Sequence, residues 1–214
     1  MASLKGVSQT VTGLIFGVFE FTIFASAPIF GNYVSKIGAK FMFISGAMVC
    51  GGCAILFGVL NRGPDGTIFI VMCFLCRTLE GLGASAYVTA LFAIIAHEFP
   101  SHVATVFGSL ESFSGMGAMV GPPIGGALYA LGGYGLPFYV NGGVVIINGI
   151  LCSYLIPELE DADKRYAGSI LSLLRSPLAI ITAFCITTGA FSLGFLDPTL
   201  ANHLLKSPST GSGA

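Results

Sequence analysis

Six stretches of this 214-residue chain are apolar over a length that matches a bilayer, and that leaves the backbone few choices. They run 12–30, 41–60, 67–96, 103–131, 137–156 and 177–200. A transmembrane helix needs about 20 mostly apolar residues, so each stretch reads as one span. The third and fourth exceed that length, which implies tilt or extension beyond the membrane. Composition agrees. The chain is 54% hydrophobic and 9% charged, against roughly 25% charged for soluble domains. The fold class expected is therefore all-α, a polytopic helical membrane protein with about six transmembrane helices and the lipid bilayer as its first partner.

Several other readings lose their footing on the same residues. The net charge is -1 and no basic run offers a phosphate footprint, so nucleic acid is not an expected partner. Lys5 before an apolar run, with Ala25-Ser26-Ala27 as a cleavage site, imitates a signal peptide, but Glu20 interrupts the run and Pro28 follows the cut. Cys50-Gly-Gly-Cys53 and Cys73-Phe-Leu-Cys76 have the spacing of a four-cysteine zinc site. Both lie in apolar runs, where a thiolate would be desolvated and a free cysteine behaves as a small hydrophobe. No metal and no cofactor is expected, and disulfides have no better support. No nucleophile, base and orienting group come together in the sequence, and His97 and His102 fall in a short, solvated loop, so no enzyme is expected.

The connections are short except one. Residues 157–176 hold Glu160, Asp161, Asp163, Lys164, Arg165 and Arg175, a polar segment long enough to join two helix bundles. Lys36, Lys40, Lys164, Arg165 and Arg175 fall on one side of the membrane and Lys5, Arg62 and Lys206 on the other, which favours the first side as cytosolic. The tail 206–214 is small, polar and turn-rich, and disorder is expected there.

The fourth span carries Gly115-Met-Gly117-Ala-Met-Val-Gly121-Pro122-Pro123-Ile-Gly125-Gly126. Each proline lacks an N–H and its ring clashes with the carbonyl four residues back, a cost of about 3 kcal/mol in an ordinary helix. Neighbouring helices can absorb that in a membrane. Gly117, Gly121 and Gly125 share one face, so a close backbone approach is expected there, as a packing seam or as a hinged, moving one.

Five ionisable residues fall within spans: Glu20, Arg77, Glu80, Glu111 and Asp197. A charge at the helix centre costs about 2.5 to 3.5 kcal/mol on insertion scales, so such residues are functional candidates. Glu20 lies mid-span, where desolvation is expected to raise its proton affinity, as a proton carrier needs; the alternative is a neutral acid packed between helices. Arg77 and Glu80 are three apart and can pair on one helix face. Glu111 lies two turns into the Gly-Pro helix beside Ser112 and Ser114, and reaches either a transport path or only the interface. Asp197 precedes Pro198, which frees the carbonyl of Gly194, and an acid beside a broken helix suits a cation or proton site; the alternative is a residue at the lumenal end of the helix that simply meets water. Four acids against one arginine suit a cationic amine exchanged for protons. Tyr87, Tyr129, Tyr134 and Tyr139 serve either as cation–π contacts or as interface anchors.

Three motifs make the chain resemble the major facilitator superfamily. Gly31-Asn-Tyr-Val-Ser35-Lys36-Ile-Gly38-Ala-Lys40, after the first span, is similar to the superfamily's signature loop, with Ser35 where that pattern has an acid. The glycines Gly31 and Gly38 with Lys36 and Lys40 would then form a cytosolic gate loop. Arg77-Thr-Leu-Glu80-Gly81-Leu-Gly83 looks like the fourth-helix arginine motif, in which Arg77 braces the central cavity. The Gly-Pro run, Gly117 to Gly126, is similar to the fifth-helix motif of proton-coupled antiporters. Gly13-Leu-Ile-Phe16, Val120-Gly-Pro-Pro123 and Phe195-Leu-Asp197-Pro198 point within the superfamily to the vesicular amine transporters, and the overall look of the chain to their polyamine branch.

The resemblance implies an alternating-access antiporter of polyamines or monoamines, in secretory or synaptic vesicle membranes. Counted against it, the chain looks like helices two to seven of twelve, with the missing helices as its partners. Residues 1–11 are then an N-terminal polar segment, 12–156 five helices of an incomplete bundle, 157–176 a cytosolic linker, and 177–205 the first helix of the second bundle. The rival expectations are a truncated, non-transporting or regulatory membrane protein and a multidrug exporter of the same superfamily.

Overall fold

The computed structural model describes residues 8–63 and 66–156, together with positions 177, 180, 181, 184, 187 and 188. The chain divides into two compact units, Met1–Tyr166 and Ala167–Ala214. The first unit holds five helices: α1 (Gln9–Ile37), α2 (Ala39–Val59), α3 (Thr67–Glu98), α4 (Val103–Gly132) and α5 (Gly135–Leu155). All five are long and apolar enough to cross a membrane. In the second unit the described positions are helical. The rest of the expected sixth span, the linker 157–176 and the tail 206–214 lie outside the described residues.

Helix ends follow local chemistry. Ser8 caps α1, its hydroxyl accepting from the Val11 N–H at 3.3 Å. Pro28 does not stop α1, which runs on to Ile37. The expected loop 31–40 is therefore corrected: Gly31 to Ile37 are the last two turns of α1, and Lys40 opens α2. Gly38 is the whole connection. It takes φ 94°, ψ 126°, a backbone open to glycine and strained for other residues, while its N–H still bonds the Val34 carbonyl at 3.0 Å. A short 3-10 turn, Leu60–Arg62, closes α2. His97 belongs to the last turn of α3, a correction to its placing in a loop, and His102 precedes α4.

The core is built by α2, which packs along α3 on one side and α5 on the other, while α1 packs along α3. Near the Gly38 end, Met42, Phe43, Ala86, Ala90 and Ile94 form one buried cluster. Near the other end, Phe57, Leu60, Phe69, Cys73 and Cys76 form a second with Ile15 and Cys53. Bare backbone makes these contacts close. A Cβ on Gly46 would lie 2.6 Å from the Gly83 carbonyl oxygen, and one on Gly83 2.9 Å from that of Gly46. Gly51 and Gly142 stand in the same relation between α2 and α5, at 2.8 Å and 2.6 Å. Gly81 meets α1, where a Cβ would be 2.9 Å from the Phe19 carbonyl.

The Gly-Pro helix behaves otherwise. Helix α4 is continuous through Pro122 and Pro123 and buries no residue. A Cβ at Gly115, Gly117, Gly121, Gly125 or Gly126 meets nothing within 4 Å. The close approach expected at these glycines is absent among the described residues. The chain makes its glycine seams on α2, α3 and α5 instead.

Candidate functional site

Midway between the two buried clusters, α3 places Arg77 and Glu80 one turn apart on the face that meets α1 and α2. Glu80 is roughly 20 Å along α3 from Thr67 at 1.5 Å per residue, deep in the span. Arg77 Nη1 donates to Glu80 Oε2 at 3.1 Å, and the two side chains are 13% and 16% exposed. The pairing expected from the spacing is present. It neutralises two charges that would each be costly alone in this interior.

Aromatic rings complete the setting of Arg77. Its guanidinium carbon lies 4.5 Å from the Phe57 ring centroid, 5.0 Å from that of Phe16 and 5.6 Å from that of Phe19. Each is within cation–π range. Phe16 and Phe19 come from α1 and Phe57 from α2, so one cation ties three helices together. Arg77 Nε is buried without a hydrogen-bond partner among the described residues. Nearby, the Ser85 hydroxyl donates to the Ile23 carbonyl at 3.3 Å, and with Gly81 it seats α1 on α3.

Glu80 also faces a cavity of about 240 Å³. Its wall includes Phe19 from α1, Phe43, Ala47 and Cys50 from α2, and Ala84 and Tyr87 from α3. Val145 and Asn148 of α5 complete its lining, and Asn148 is exposed at its outer end. Phe43 meets Tyr87 edge to face, with centroids 6.0 Å apart. The Cys50 thiol donates to the Glu80 backbone carbonyl at 3.4 Å. Farther along, Cys76 Sγ donates to the Cys53 carbonyl at 3.2 Å, and Cys53, Cys73 and Cys76 pack among phenylalanines as small hydrophobes.

Of the five ionisable candidates, the structure brings together Arg77 and Glu80. Glu20 is exposed on α1 and Glu111 on α4. Asp197 lies outside the described residues. In the α1–α2 corner, Lys36 is exposed and its ammonium sits 5.4 Å from the Tyr33 ring centroid. Of the four tyrosines, Tyr87 lines the cavity, Tyr134 packs on Phe138, and Tyr129 is exposed.

Sequence reasoning missed the three phenylalanines around Arg77 and the contribution of Cys50 and Asn148. For the phenylalanines no local signal existed, since they come from two other helices. The close seams did leave one. Ala47 and Gly51, and Ala54 and Gly58, are small residues four apart on α2, the usual spacing for close helix approach.

Comparison with known proteins bears directly on this geometry. Residues 1–213 match the profile of the Major Facilitator Superfamily. The chain is 46% identical over 205 residues to the MFS-type transporter SLC18B1 of Homo sapiens, covering 96% of this chain and 44% of that protein. With the protein of the same name from Mus musculus it shares 43% identity over 212 residues, 99% of this chain and 46% of the relative. The vesicular acetylcholine transporter of Tetronarce californica is 27% identical over 199 residues, 91% of this chain and 37% of that protein. The chain thus spans less than half the length of the curated relatives it matches. No solved structure matches it significantly.

Proposed function

The chain belongs to the major facilitator superfamily, and from that premise we propose that it serves a proton-coupled antiporter that loads an organic cation into acidic vesicles. The cation is a polyamine or a monoamine, and the transport cycle is alternating access about a midplane site. It is a multi-pass membrane protein related to transporters rather than to enzymes. The observation that carries the reading is the Glu80 carboxylate, held at 3.1 Å by an arginine inside an aromatic setting and facing a cavity deep in the bundle. An acid so placed can be relieved of its cation partner by a proton, and α1 and α2 share that partner through their phenylalanines. Glu20, Glu111 and Asp197 supply further acids to the cycle, the α1–α2 corner with Lys36 and Lys40 forms the cytosolic gate, and Gly117 to Gly126 form the face on which the bundles rock. The names of the vesicular relatives support the class of cation and the vesicle membrane.

Uptake of labelled spermidine into acid-inside proteoliposomes tests this. Uptake that collapses with a protonophore and falls at least about tenfold in Glu80→Gln is expected. Gradient-independent uptake would overturn proton coupling. Preference for lipophilic cations over spermidine would move the protein to the multidrug exporters. A second reading is favoured by α4, which buries nothing: this chain by itself is a non-transporting membrane protein. Uptake by the 214-residue chain alone excludes it.

A further inference from the structure

The cavity beside Glu80 has chemistry that the ion pair does not use. Glu80 gives Oε2 to Arg77, and its Oε1 makes no hydrogen bond among the described residues. The Tyr87 hydroxyl makes none either, and Asn148 uses only its amide oxygen, which accepts from Cys152 Sγ at 3.6 Å. These groups share one cavity of about 240 Å³ with the apolar walls of Phe19, Phe43 and Val145. Asn148 is exposed while Ala47 and Ala84 are buried, so the cavity runs from the surface of α5 into the α2–α3 interface.

A small apolar chamber with a few converging polar groups is the usual form of a ligand site. Its polar set selects the ligand. A carboxylate oxygen accepts hydrogen bonds only and repels anions, and a phenol oxygen and an amide oxygen add two more acceptors. An –NH₃⁺ group has three donors to match three acceptors. The faces of Phe19 and Phe43 suit the alkyl carbons behind it and the charge itself. Arg77 does not fill this place, because its guanidinium is held among Phe57, Phe16 and Phe19. The volume lies below the range of about 300–1,000 Å³ typical of drug-sized ligands, which limits the occupant to a short chain.

We propose that this cavity binds a primary alkylammonium group, either a short aliphatic amine or one end of a longer one, docked on Glu80 Oε1 with Tyr87 and Asn148. The proposal deepens the antiporter reading and rests on it for the class of ligand. The site lies wholly within the α1, α2, α3 and α5 bundle.

Cys50 lines the cavity and reports its occupancy. The 214-residue chain is placed in lipid nanodiscs without any gradient and treated with methyl methanethiosulfonate. Modification of Cys50 is followed by peptide-resolved mass spectrometry, with Cys152 as reference. n-Butylammonium is expected to slow labelling of Cys50 and not of Cys152, whereas n-butanol has no effect. Glu80→Gln is expected to raise the half-protecting concentration about tenfold or more, the worth of one charge-assisted hydrogen bond. Val145→Trp, which fills the cavity, is expected to abolish protection, and Asn148→Ala to weaken it without adding bulk. Equal protection by n-butanol, or protection unchanged in both Glu80→Gln and Asn148→Ala, would overturn the site. Gradient-driven uptake and Cys50 protection are separate readouts. Uptake lost with protection intact removes the antiporter reading alone, and protection absent with uptake intact removes the cavity site alone.

Discussion

Arg77 is a permanent cation in an apolar interior, and its neighbours divide the work of keeping it there. Glu80 cancels the charge and three phenyl rings replace part of the lost hydration. Removing one member of such a buried pair strands the other, typically at about 3 to 5 kcal/mol, whereas removing both can be far milder. Glu80→Ala is therefore expected to destabilise the bundle by about 3 kcal/mol, and Arg77→Ala/Glu80→Ala by less than the sum of the single changes. Reversible unfolding in mixed micelles, run as a double-mutant cycle, measures the coupling. An additive double variant would mean the pair does not interact. Arg77→Lys is expected to recover the charge and little of the ring contact, because a compact ammonium cannot spread across three faces as a planar guanidinium does.

At the scale of the helix, glycine has two opposite meanings in this protein. Gly83→Ala puts a methyl 2.9 Å from the backbone of α2, while Gly121→Ala puts one into open space. The first is expected to destabilise by about 1 to 3 kcal/mol through forced separation of packed helices. The second is expected to stabilise α4 by up to about 1 kcal/mol through its gain in helix propensity. Thermal midpoints of the two variants in the same lipid decide it, and a loss at Gly121 equal to that at Gly83 would place a hidden partner on α4. Much of this level was legible beforehand. Length and hydropathy located the five described spans, because a bilayer fixes how long an apolar run must be. The Arg77–Glu80 pair followed from helical spacing alone. The corner at Gly38 was not legible as helix, since its glycines and lysines imitate a loop. The busiest glycine face was sought on α4, where the motif is densest, but contact depends on which helix lies opposite, and a single helix does not encode that. The same limit hid Phe16, Phe19 and Phe57.

The first unit as a whole is lopsided, with a tight α1–α2–α3–α5 packing and an α4 that leans on it lightly. Large apolar side chains cover the outside of α4, among them Phe113, Met116, Met119 and Leu131. Exposed apolar area of this kind suits acyl chains and marks an interaction surface in water. Nitroxide labels stepped along α4 from Glu111 to Ile124 in liposomes are expected to be reached by oxygen at every position, because each of these residues is exposed. Labels at Ala86 and Ala90 of α3, both buried, are expected to be shielded. A 3.6-residue rhythm of protection between Glu111 and Ile124 would contradict the exposure of this stretch.

The seams of α2 bear on how this molecule can vary. Gly46 and Gly51 hold two neighbouring helices at backbone distance, with Gly83 and Gly142 opposite them. Every missense change that a single nucleotide can make in a glycine codon adds at least a Cβ. At these four positions the genetic code therefore offers no conservative neighbour, and the spacing of three helices hangs on codons that can drift only in their third base.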